Sequence, residues 1–211
     1  MTALIARELR RIWAEGGLTT TLAFFLLVAI LFPFAIGPDR DLLERVGGGV
    51  IWTAALLAAL LPVERLVAPD ADAGVFDQLA VRGWSTEAVA VAKLAGHWLG
   101  FGPPLMLATL PAAALLGLSG EALAATEIAL LIGTPGLAAL GLATAALVAG
   151  LRGGGALAGL IMLPLAVPLL VFGAGVGAGG PGALKLLAAV SLAYVAGAPF
   201  VAGAAIRFGR G

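Results

Sequence analysis

One histidine, His97, and the absence of cysteine limit the chemistry open to this chain. Disulfides, thiolate nucleophiles and cysteine metal sites are excluded, and so is a metal site built from several histidines of one chain. Ser85, Ser119 and Ser191 are the only serines, and none is spaced to pair with His97 as nucleophile and base. No P-loop, zinc signature or G-x-S-x-G turn is present. The expectation is a chain with no catalytic residues and no metal, in which energy from ATP would enter through a separate subunit.

Three groups of residues remain as functional candidates. The first is an acid-flanked run, with Asp70 and Asp72 followed by Val75, Phe76, Asp77, Gln78 and Leu79. Val75, Phe76 and Leu79 share one helical face, with Asp77 and Gln78 on another, and Asp72 is placed to cap such a helix. A short helix of this kind suits docking into a groove of a cytoplasmic partner. It equally suits a solvated loop whose apolar face rests on lipid or on the protein itself. The second group is His97 beside Trp98. Ionisable residues inside a span are functional candidates by default, and an axial histidine is a common haem ligand. A position one turn inside the span favours a structural role. The third group is Pro103, Pro104, Pro135, Pro164 and Pro168, all mid-span and expected to mark kinks that let rigid segments tilt.

The elements that must position these residues follow from composition. Of 211 residues 61% are hydrophobic and 11% charged, with a mean hydropathy of +1.09. A soluble domain carries about a quarter charged residues, so polar groups cannot cover this surface and lipid must. Twelve basic and twelve acidic residues give no net charge and no basic stripe, which argues against nucleic-acid binding. The fold class predicted is an all-α membrane bundle of six transmembrane helices, preceded by an amphipathic interfacial helix over residues 1–17. In that first helix Ile5, Leu9, Ile12 and Trp13 face the acyl boundary. Arg7, Glu8, Arg10, Arg11 and Glu15 face the other way, and Gly16-Gly17 allows a turn. No small-x-small cleavage site closes the apolar stretch that follows, so the segment reads as retained.

The spans are expected near 18–36, 47–63, 94–117, 125–149, 156–177 and 184–206, in a single transmembrane domain covering 1–211. The stretch 64–93 is the longest segment outside the bilayer, and Ser85-Thr86-Glu87 within it reads as a helix start. Gly96/Gly100, Gly155/Gly159 and Gly173/Gly177 have the small-xxx-small spacing of close helix contacts. With six spans both termini share a side. That side receives Arg7, Arg10, Arg11, Arg65, Arg82, Lys93, Arg152, Arg207 and Arg210, against Arg40, Arg45 and Lys185 on the other. Nine against three places both termini in the cytoplasm. The opposite end is acidic, with Asp39, Asp41, Glu44, Glu121 and Glu127.

An ordered series of short motifs resembles the haem exporter protein B (CcmB) family. It runs from Leu31-Phe32-Pro33 and Gly37-Pro38 through Ile51-Trp52-Thr53 to Glu64-Arg65-Leu66. It continues through Asp70, Asp72-Ala73-Gly74, Asp77-Gln78-Leu79, Ala92-Lys93 and His97-Trp98. It ends with Gly133-Thr134-Pro135, Gly150-Leu151-Arg152-Gly153-Gly154, Leu163-Pro164-Leu165 and Pro168-Leu169-Leu170. The likeness spans nearly the whole chain and weakens at 178–185 and in the sixth span.

The resemblance implies the permease subunit of an ABC transporter for cytochrome c biogenesis in the bacterial inner membrane. The implied partners are a cytoplasmic ABC ATPase, a second copy of the chain, a haem-handling membrane subunit, a small single-span subunit and a periplasmic haem chaperone. The implied work is coupling of ATP hydrolysis to haem delivery and release of the loaded chaperone. Haem would be handled by the complex and ATP with magnesium by the partner subunit, with no cofactor held firmly by this chain. The ATPase-coupling helix then maps onto Asp70 to Leu79. The alternatives are a passive scaffold for the haem-handling subunit, or a direct haem-conducting channel with His97 as a transient ligand.

Overall fold

The computed structural model describes residues 1–14, 17–151, 153–177, 179–180 and 182–209. Glu15, Gly16, Arg152 and Arg210, each given a place in the sequence reading, lie outside them. Among the described residues the chain forms nine helices and no strand. These are α1 (Thr2–Ala14), α2 (Gly17–Ile36), α3 (Arg40–Leu60), α4 (Val63–Asp72), α5 (Val75–Val81), α6 (Thr86–Leu116), α7 (Gly120–Val148), α8 (Gly154–Gly177) and α9 (Ala183–Phe208). Six of them, α2, α3 and α6 to α9, are long and apolar enough to cross a membrane, so the chain is a multi-pass membrane protein.

Local sequence explains the helix starts. Asp39 caps α3 by accepting from the amide of Leu42, Ser85 caps α6 through Ala88, and Ser119 caps α7 through Ala122. Two expected boundaries move outward as a result. Arg40 to Arg45 form the first turns of α3, not a loop, and residues 86–93 belong to α6. Pro103, Pro104, Pro135, Pro164 and Pro168 all lie inside continuous helical segments, so none of them ends a helix.

The segment before α6 differs from expectation in its internal break. Asp72 was expected to start a helix, yet it is the last residue of α4. The break falls at Ala73-Gly74, where Gly74 takes a left-handed φ of 65° that side-chain-bearing residues rarely adopt, and α5 follows without a side-chain cap. Asp72 is exposed there and caps nothing.

α7 is the most enclosed span and α2 and α8 the least. α7 packs against α6, α8 and α9, with α3 and α4 also touching it. The middle of the bundle closes on Trp52 of α3, which is fully buried. Two glycines make room for its ring: a methyl group at Gly133 of α7 or at Gly173 of α8 would overlap the indole. Absent side chains thus let three backbones approach around one large one, the close-contact role predicted for Gly173.

Gly173→Ala is expected to destabilise the bundle by about 1–3 kcal/mol through overpacking. Adding Trp52→Phe should recover part of that loss, because the two sites share one space. Thermal unfolding in detergent measures both, and a wild-type melting temperature for Gly173→Ala would remove the socket.

Candidate functional site

The functional candidates that the structure gathers lie at the end of the bundle carrying most of the basic residues. α1, α4, α5, the start of α6 and the end of α9 meet there. Their contact is organised by Asp70, expected from sequence as a docking residue and found buried. Arg7 Nη2 lies 2.7 Å from Asp70 Oδ1 and Arg11 Nη1 lies 3.1 Å from Oδ2. Lys93 of α6 pairs with the same carboxylate. Lys93 Nζ also lies 3.2 Å from Glu8 Oε2 of α1, and Arg11 Nη2 lies 3.4 Å from that oxygen. Two acids and three cations from α1, α4 and α6 therefore form one connected cluster, with Lys93, Asp70 and Glu8 all withdrawn from solvent.

Proline explains why the arginine belongs there. Pro69 lies inside α4 and has no amide hydrogen, so the carbonyl of Arg65 four residues earlier loses its helical partner. Arg11 Nη2 donates to that oxygen at 3.2 Å, and Lys93 Nζ donates to the carbonyl of Leu66 at 3.0 Å. The cluster thus joins side-chain charge to a backbone defect in α4. It reaches α5 as well, because Lys93 Nζ sits 5.6 Å from the centre of the Phe76 ring.

Backbone approach makes the cluster possible. A methyl group at Gly96 would stand 2.6 Å from Glu8 Cβ, and one at Gly100 would stand 3.0 Å from Ile12 Cδ1. Glu8 and Ile12 are four apart on α1, as Gly96 and Gly100 are on α6, so the predicted glycine pair is the seat of α1. This corrects the reading of α1 as a helix whose charged side faces outward. Glu8 is buried and Arg11 half-buried, while Trp13 is 65% exposed. An amphipathic pattern shows that two faces differ and does not say which meets protein.

The remaining residues of the acid-flanked run divide sharply. Phe76 and Leu79 are buried and Val75 is half-buried, so the apolar face rests on the protein itself. Asp72, Asp77 and Gln78 are exposed, and Val81 is 90% exposed. A groove of about 350 Å³ runs beside them, lined by Asp72, Gly74, Phe76 and Asp77 on one side and by Ala149 of the α7 end and Ile206 of α9 on the other. Nearby, Arg207 of α9 pairs with Glu87 and donates to the Thr86 hydroxyl at 3.2 Å, tying the last span to the first turn of α6.

His97 stands apart from these acids. Its ring is buried and stacks on Phe101 at 5.8 Å with planes 13° apart, and Nε2 has no hydrogen-bond partner among the described residues. Trp98 does not share that environment: its indole N–H donates to Thr134 Oγ1 at 3.1 Å. His97 borders a cavity of about 170 Å³. Pockets for drug-sized ligands run to about 300–1,000 Å³, so this space is too small for a tetrapyrrole. Among the described residues no group of three His, Asp or Glu side chains is arranged to hold a metal.

Sequence reasoning missed Glu8, Arg7, Arg11 and Lys93 as members of one site. The available signal was a lysine eight residues past the Ser85 cap, together with a proline in a helical run and a glycine pair on the same helix as the lysine.

Comparison with known proteins extends over the whole chain. A family model described as CcmB protein matches residues 1–209. Heme exporter protein B of Rhodobacter capsulatus is 45% identical over 214 residues, covering 98% of each chain. The protein of that name from Paracoccus denitrificans is 44% identical, with the same coverage. The one from Escherichia coli K12 is 39% identical over 149 residues, covering 71% of this chain and 68% of that one.

Lys93→Met removes the cation shared by two buried acids and is expected to cost about 3–5 kcal/mol. Because the chain lacks cysteine, a single Ile12→Cys reports whether α1 stays seated. Thiol labelling at that position should rise at least tenfold in the Lys93→Met background. Unchanged labelling would mean that the cluster does not hold α1.

Proposed function

This chain belongs to the CcmB protein family, and from that premise we propose that it is the membrane permease subunit of an ABC-type haem-export system serving cytochrome c biogenesis. The observation that carries the reading is the α4–α5 segment. It is folded, carries acids on an exposed edge and is clamped to α1 and α6 by buried charge. In this reading the segment is the handle gripped by a cytoplasmic ATPase. The exposed Asp72, Asp77 and Gln78, beside the groove bounded by α7 and α9, form the contact. The basic residues at this end support a cytoplasmic location for it and for both termini, within the bacterial inner membrane.

Mechanical coupling follows from the clamp. When paired ATPase subunits close on ATP, α4 and α5 move with them. The cluster carries that displacement into α1 and α6, while the Glu87–Arg207 pair carries it into α9. The spans of two copies then tilt and change the surface offered on the opposite face. There a haem-handling membrane subunit and a small single-span subunit would present haem to a periplasmic chaperone. ATP acts only through the different affinities of the two conformations for these partners. The protein's own residues position and transmit, and hydrolysis belongs to the partner.

Burial selects the variants for a test. Phe76 is packed inside, so its replacement would confuse folding with docking, whereas Asp72 and Asp77 are exposed. Asp72→Arg combined with Asp77→Arg should lower ATPase co-purification at least tenfold and abolish release of the haem-loaded chaperone. The amount of protein in the membrane should stay unchanged. Full retention of the ATPase and of chaperone release would overturn the assignment.

A further inference from the structure

The cavity beside His97 has a location and a charge that the transport reading does not use. It opens between the end of α1, the start of α2, the α3–α4 junction and α6. Gly17 begins α2 and Leu60 ends α3, so the cavity lies at the end of α2 nearest α1 and at the α3–α4 junction. Leu18, Leu61 and Phe101 give it apolar walls, and Arg11 and Arg65 also line it.

Among the described residues of the cluster two acids, Glu8 and Asp70, meet three cations, Arg7, Arg11 and Lys93, with Arg11 engaged by both carboxylates. Arg65 is a further cation: its side chain is exposed and forms no ion pair among the described residues. Its neighbour Glu64 is turned toward α8, where its Oε2 stands 2.6 Å from the place a methyl group at Gly155 would take. α1 further offers an exposed Arg10 and an exposed Trp13 at the same end. Tryptophan and arginine are side chains that favour the headgroup level of a bilayer.

An apolar-walled recess bordered by Arg65, which has no ion pair among the described residues, is matched by an amphiphile with a phosphate head. Basic pockets between membrane helices take anionic headgroups, and a guanidinium group binds phosphate oxygens in a two-pronged fashion. We propose that this cavity binds an anionic phospholipid from the leaflet on the side of the chain termini. Its phosphate lies against Arg65 within the field of Arg11, and its first acyl carbons lie along Leu18, Leu61 and Phe101. The volume admits the glycerol region and the head of one chain, and the rest remains in the bilayer. A lipid so placed braces α1 against α2 and the α3–α4 junction, next to the charge cluster. The site stands or falls independently of ATPase coupling.

The shared chemistry, a phosphate anion, could also come from free phosphate, and the test separates the two. Full-length protein is reconstituted in phosphatidylcholine nanodiscs containing a minority of phosphatidylglycerol, released in the gas phase, and its retained lipids are counted by native mass spectrometry. The expected result is one phosphatidylglycerol per chain, enriched over phosphatidylcholine and not displaced by millimolar inorganic phosphate. Arg65→Gln should lower its retention about tenfold. Leu18→Trp, which fills the apolar end and leaves every charge in place, should lower it similarly. Equal retention of the two lipids, or unchanged phosphatidylglycerol in both variants, would overturn the proposal. Displacement by inorganic phosphate would also overturn it, because the site would then be one for a free anion.

Discussion

Lys93 is the residue on which the basic end of this protein depends. An ammonium group buried in a helix of a membrane bundle must find negative charge or change its protonation. Here it finds two carboxylates, Asp70 and Glu8, from two other helices, and a backbone oxygen at Leu66. Everything around it is arranged to make that meeting possible. Gly96 and Gly100 remove the side chains that would hold α1 away, and Arg11 neutralises what the lysine cannot. Phe76 turns its ring toward the same nitrogen and brings α5 into register. The desolvation of so many charges makes the cluster poor as a source of stability. Its value lies in specificity, since only one arrangement of α1, α4 and α6 satisfies every partner.

The two halves of the bundle are held by different physics. Near the basic end, charge fixes the geometry and apolar contact is secondary. In the middle, where lipid surrounds the spans, apolar contact offers no preference between helix and solvent. Shape decides there instead, through the fit of Trp52 between Gly133 and Gly173. In the coupling proposed above, displacement of α4 would reach α1 and α6 through this cluster.

Much of this was legible in the sequence, for a physical reason. Six spans follow from composition and hydrophobic length, since nothing except lipid can cover so apolar a surface. The start at Ser85 follows from side-chain capping, a local event, whereas the same cap at Ser119 went unread. The seat of α1 was half-visible in Gly96 and Gly100. What stayed hidden were the partners of charges. Glu8 and Lys93 are 85 residues apart and Arg7 and Asp70 are 63 apart, and no periodicity connects them. The same blindness placed Glu8 outward, because helical spacing sorts faces without naming the neighbour. The expected helix over Val75 to Leu79 forms as α5, but the cap expected at Asp72 failed for a local reason: α4 runs through Pro69 to Asp72, and Gly74, with its left-handed backbone, marks the break.

The long separation between Glu8 and Lys93 has a consequence for how the chain is made. Synthesis runs from the N-terminus, so α1 leaves the ribosome well before α6 exists. During that interval Arg7 and Arg11 have neither Asp70 nor Lys93 nearby and must remain hydrated. Hydrated arginines ahead of the first span are what hold an N-terminus on the cytoplasmic side while that span inserts. The same side chains are hydrated first and later, once α4 and α6 arrive, complete the clamp.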